Sequence, residues 1–199
     1  MPFSFAKRHC HIEKSFNGRV EMEGDQPKSA CDITLSGILL NLDEFNELLE
    51  DPEAHKLHFK STKAEGGAKL WEPRHDKIKF LALRDKYEKS LVTLYVGLED
   101  EELDAIKLNA CKIGKITLRK LTGGLTEVSM QVQSRPEDRD AAKIFANMDH
   151  DAKVSARFGK LIVKKVAQPE LPMDHTGEDV LQNDLGDNVV PGTLDEARA

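Results

Sequence analysis

Basic side chains crowd the second half of the chain: Lys112, Lys115, Arg119 and Lys120 in one stretch, Arg135 and Arg139 soon after, Lys164 further on. Ammonium and guanidinium groups at this density can neutralise the phosphates of a nucleic acid. Binding a single strand also calls for aromatic rings between the charges. No Phe, Tyr or Trp stands between Lys112 and Lys120, and the whole chain is 6% aromatic. The plainer reading of the same residues is a solvated strand face on which lysines discourage edge pairing.

Other reactive residue types are present without the spacing that chemistry needs. His9, Cys10 and His11 are consecutive, and neighbours in an extended strand point to opposite faces, so they cannot converge on one ion. His55 and His58 share a helical face but have no second ligand pair. Cys31 and Cys111 fall on apolar strand faces, where a thiol acts as a small core residue. Asp43, Glu44, Glu47 and Glu50 lie on the wet side of a helix, and residues 99–102 in a loop. A nucleophile elbow, a P-loop and a dinucleotide fingerprint are all missing. The expectation is a binding protein, not an enzyme, with no metal and no cofactor.

The stretch that must position the bases is Ile106–Gln133. Val128, Met130 and Val132 alternate with Glu127, Ser129 and Gln131, the two-residue period of a half-buried strand. Ile116 and Leu118 point inward on the preceding limb, and Thr122-Gly123-Gly124 supplies the turn. Parity blurs near Lys112–Lys115, predicting a bulge or a tight turn that splits Ile106–Leu121 into two strands. Strands are also expected around residues 2–22, 30–36, 77–84, 91–97, 152–158 and 161–166.

Two amphipathic helices are predicted. Asn41 and Glu44 have capping-box spacing before Leu42, Phe45, Leu48 and Leu49. Ser134 and Glu137 repeat that spacing before Ala141, Ile144, Phe145 and Met148. A short helical turn follows Pro52, 60–69 reads as a loop, and Trp71 anchors a core edge. The fold class is α+β: an antiparallel sheet of about seven to nine strands, curled or two-layered, with two helices packed on it.

The 199 residues are 39% hydrophobic and 32% charged, with a net charge of −6. Residues 168–199 contain eight acids and one base, which predicts a globular domain over 1–167 and an acidic, disordered tail. The body is then nearly neutral, unlike a protein built mainly to hold duplex DNA. No apolar run approaches a membrane span of roughly 20 residues. The start, MPFSFAKRHCHIEK, has no signal-peptide core, and three scattered cysteines suit reduced thiols. A cytoplasmic location is expected.

The pattern DITLSGILLNLDEFNELLEDPEAHKLHF, followed by IKLNACKIGKITLRKLTGGLTEVSMQVQSRP, resembles small phage- and prophage-encoded proteins over about residues 30–165. Such proteins are similar in size and organisation to inhibitors of bacterial defence, anti-CRISPR proteins among them, and to accessory proteins of phage recombination. The resemblance implies a host protein or ribonucleoprotein complex as partner. The alternative it implies is a single-strand nucleic-acid binder.

Overall fold

A two-residue apolar period buries one face of an extended chain and wets the other, and it recurs in strand after strand of the described residues. In a computed structural model, residues 2–23, 25–63, 69–75, 77–78, 80–96 and 105–162 are described. They belong to the first of two units, Met1–Val163; residues 164–199 form the second. Lys164 and the acidic stretch from 168 therefore lie outside the described residues.

The elements, in order, are β1 (Ser4–Ile12), β2 (Asn17–Glu23), β3 (Gln26–Leu40), α1 (Leu42–Leu48), α2 (Ala54–His58), β4 (Phe59–Lys63) and β5 (Lys69–Pro73). Then come β6 (Phe80–Leu83), β7 (Lys86–Tyr95), β8 (Ile106–Lys120), β9 (Thr126–Ser134), α3 (Asp138–Ala146), β10 (His150–Arg157) and β11 (Lys160–Ile162). Six strands close on themselves in the order β7–β10–β1–β3–β9–β8 and back to β7, every pair antiparallel. Strands β7, β8 and β9 form a meander, and β10 returns to lie beside β7, a Greek key. β2 extends the sheet beside β3, β6 beside β8, and β4–β5 form a separate hairpin.

Closing so few strands demands strong local bending, which bulges provide. Register breaks interrupt β1, β3, β7 and β8, and residues with positive φ sit at them: Lys7 (45°), Gly37 (73°), Lys89 (56°) and Lys115 (48°). Inside, Ile12, Leu35, Leu94, Ile113, Leu118 and Met130 are wholly buried. These side chains fill the barrel interior as packed core. Asn41 caps α1 as expected: its Oδ1 accepts the Glu44 N–H and Glu44 Oε2 accepts the Asn41 N–H, both at 2.9 Å. Phe45, Leu48 and Ala54 enter the core from this side, and Ile144 of α3 enters it from the β9–β10 connection.

The antiparallel sheet is present, curled into a barrel, and the described residues are mainly β with three short helices: the two amphipathic ones expected and, as α2, the short helical turn after Pro52. Ile106–Lys120 is one continuous strand; its irregularity is a bulge and does not split it. Residues 60–63 and 69, read as loop, belong to the β4–β5 hairpin, where only Phe59 is buried and the other side chains are exposed or half-buried, so they carry little periodicity. DKYEKS, read as a polar connection, contains the start of β7. Ser134 does not cap α3: it is buried at the end of β9 against Cys31, and the cap residue Glu137 makes no side-chain cap bond. β11 does not pair with β10; it continues β10's line along β7 after a break at Phe158-Gly159.

Candidate basic cleft

The bases predicted as one strip are separated by the pleat and by the length of β8. Ile116, Leu118 and Lys120 share a parity, so Lys120 turns inward with the apolar pair and is only 7% exposed. Its reading as a surface base is corrected by that burial. Burial first, then the charges of Lys120 and His75, push His58 below the ordinary histidine range. Arg119 lies at the same far end of β8, facing out and 3.3 Å from Glu127. Lys115 is exposed at the bulge, and Arg139 is exposed on α3.

Lys112 and Arg135 do share a site. They line a cleft of about 450 Å³ with Arg19, Lys28, Glu21 and Gln133, on the outer face where β2, β3, β9 and β8 run side by side. Arg135 donates from Nε and Nη2 to Glu21 Oε2 at 2.8 and 2.7 Å. Arg19 Nε donates to Glu21 Oε1 at 2.7 Å, and Arg19 Nη1 donates to Asp32 Oδ1. Gln133 Nε2 reaches the other oxygen of Asp32 at 3.2 Å. Arg135, and then Arg19, hold Glu21 below the usual carboxylate range. Asp32 is 8% exposed, so the network has a buried acidic floor beneath a basic rim. Lys112, 3.3 Å from Glu88, completes the rim.

Reading β8 alone found Lys112 but missed Arg19 and Lys28. These sit on β2 and β3, and the register Glu21↔Lys28, Asn17↔Asp32, Asp32↔Gln133, Gln133↔Lys112 brings them to the same face. The signal was present in the odd positions of NGRVEME. Without strand pairing it could not be placed.

The remaining reactive residue types are engaged elsewhere. Cys10, Cys31 and Cys111 are buried and free, as expected from their apolar neighbours. Burial pushes the Cys10 and Cys111 thiols up to about 12, far from a nucleophile's range. His55 bonds Asn46 and stacks edge-on against Trp71, which packs on the core edge.

His11 stands between carboxylates, its Nδ1 3.0 Å from Asp151 Oδ1 and its Nε2 3.4 Å from Asp149 Oδ1. The bond to Asp151 first, then that to Asp149 and the charge of Glu13, raise its pKa. In an NMR titration of the full chain, His11 is expected to titrate above the ordinary value of about 6.5, and Asp151→Asn is expected to lower it. Because the folded-state pKa is raised, any stability it adds is complete below the unfolded value and is lost as pH rises through the folded one. An unshifted His11 titration would contradict this geometry. No protein-family model, characterised protein or solved structure matches this chain.

Proposed function

We propose that the protein works by binding, through the cleft of Arg19, Lys28, Lys112 and Arg135, an acidic segment of a partner protein in a larger complex. The carrying observation is the convergence of four cations from four segments on one outer face of a barrel whose interior is filled. A filled interior leaves no room for a small ligand inside the barrel, which directs recognition to the surface. The rim guanidiniums are already matched by Glu21 and Asp32. Carboxylates are therefore the kind of group this network is built to hold. None of the cleft-lining residues is aromatic, so the stacking platform of a single-strand binder is not among them. The resemblance to phage-encoded proteins adds the setting: a host macromolecular complex, with inhibition of a bacterial defence system such as CRISPR as the leading case.

The test is capture from bacterial lysate by the full chain and by two variants. Lys28→Glu with Lys112→Glu is expected to lose a stoichiometric protein partner, while Arg119→Glu, at the other end of β8, keeps it. Capture indifferent to the cleft variant would sink the proposal. So would a salt-sensitive oligonucleotide shift abolished by the same variant, which would favour nucleic acid.

A further inference from the structure

Among the described residues, β2 pairs with β3 alone. Its register with β3 runs unbroken from Asn17↔Asp32 to Glu23↔Gln26, with no bulge. Among the described residues it is the longest strand left with one partner; β6 has four residues and β11 three. Natural edges are usually blunted by proline, charged side chains (lysine above all), a bulge or a covering loop. NGRVEME carries the charges of Arg19, Glu21 and Glu23, which are engaged with Asp32, Arg135 and each other in the cleft or stand at the turn, but neither proline nor lysine, and its apolar side chains stand uncovered. Val20 is 71% exposed and Met22 62%, the opposite of what an edge strand in contact with water alone requires.

The sequence of β2 is complementary to itself. An antiparallel copy centred on Val20 sets Arg19 opposite Glu21 and Glu21 opposite Arg19, while Val20 meets its own counterpart. Opposite charges facing each other across strands stabilise a pair and fix its register. On the other face, Met22 falls opposite Gly18. Gly18 carries no side chain, and the ring of Phe16 occupies that space, 2.9 Å from where a Cβ would stand. Phe16 in turn packs edge-on against Phe145, centroids 6.0 Å apart, and Phe145 is 62% exposed. The partner's Met22 therefore arrives over an aromatic pair, a surface suited to a thioether.

We propose that β2 is a homodimer strand, pairing antiparallel with β2 of a second copy about a two-fold axis at Val20. The sheet then runs on through both molecules, and Val20, Met22 and Phe145 are covered. Because Arg19 and Glu21 also line the basic cleft, the two clefts come to lie side by side across the axis, giving a site with twice the span of one chain. This does not depend on what the cleft binds.

Val20→Cys tests the pairing in the full chain. Opposed residues in an antiparallel pair have Cα atoms about 4.5–5.5 Å apart, within disulfide reach. The three native thiols are buried and do not compete. Mild oxidation is expected to convert Val20→Cys largely to a linked dimer, while Leu57→Cys, equally exposed on α2, stays mostly monomeric. Sedimentation of the unmodified protein should show a dimer that Val20→Lys weakens at least tenfold, since it sets two ammonium groups against each other. Position 20 is on the surface, so circular dichroism should show both variants folded. A monomer at every concentration would overturn the proposal. So would a dimer indifferent to Val20→Lys, or cross-linking no faster at position 20 than at 57. A linked product formed only with a lysate protein would show the edge to serve another partner, and would also overturn it.

Discussion

Gly159→Ala is expected to cost about 3 kcal/mol or more of unfolding free energy, or to prevent folding. The reason is contact with backbone. A Cβ on Gly159 would lie 2.0 Å from the Glu88 carbonyl oxygen and 2.6 and 2.7 Å from the carbonyl carbon and oxygen of Lys89. No rotamer change relieves that overlap; only parting β7 from the β10–β11 line would. The approach is fixed from both sides. Lys160 pairs with Glu88, and the Gly159 N–H donates to Ser90 Oγ at 3.0 Å, where Ser90 is fully buried. The measurement is urea denaturation, beside Gly114→Ala as a control. There the added Cβ meets only the flexible Lys86 side chain at 3.5 Å, and a change under about 1 kcal/mol is expected. Equal effects at the two glycines would show that β7 and β11 are not this close.

Phe158→Ala should remove about 3–5 kcal/mol, the usual cost of truncating a buried phenylalanine. Phe158 is 1% exposed and makes edge-to-face contacts with Phe3 and Tyr87, centroids 5.1 and 4.9 Å away, and a tilted one with Phe5 at 6.3 Å. Its N–H donates to the Phe3 carbonyl at 2.9 Å. One ring thus joins the start of β1, the start of β7 and the end of β10. Phe158→Leu keeps most of the volume and should lose less than half as much. A second readout follows from Tyr87, whose hydroxyl is pushed up to about 12, chiefly by burial. With Phe158 shortened, water reaches Tyr87, and its ultraviolet titration should move back toward the ordinary tyrosine value of about 10. An unchanged Tyr87 titration with unchanged stability would exclude the aromatic cluster.

Local pattern announced most strands and the first helix. Val128, Met130 and Val132, and Cys31, Ile33 and Leu35, face inward as their alternation required, and Asn41 with Glu44 closed the capping box their spacing announced. Barrel closure was not legible, because it depends on β1 meeting β10 and β3 meeting β9, and period says nothing about which strands pair. Capping-box spacing misled at Ser134 because Ser134 is also the last inward position of β9, and burial against Cys31 outweighs capping a helix that starts four residues later. Lys120 shows the reverse conflict. Its parity with Ile116 and Leu118 placed it inside, while its charge suggested water; parity decided. Half of the cleft was visible as Lys112 and Arg135, and the other half waited on the β2–β3 register.

The closed ring also sets the order in which the chain is able to complete itself. β1 is made first, yet one of its two neighbours is β10, with Ser4 paired to Arg157 and Ile12 to His150. While the ribosome works through the intervening residues, the flank of β1 that will receive β10 has nothing to bond. Pairings this distant in sequence are the slow ones, since a long loop must be organised before any contact rewards it. The meander of β7, β8 and β9 needs only its own neighbours and can assemble early. The ring's last bonds are then those of β10, which seals it by filling the gap between β1 and β7. A chain halted before His150 would be left as an open sheet with two unsatisfied flanks, the state in which aggregation competes best.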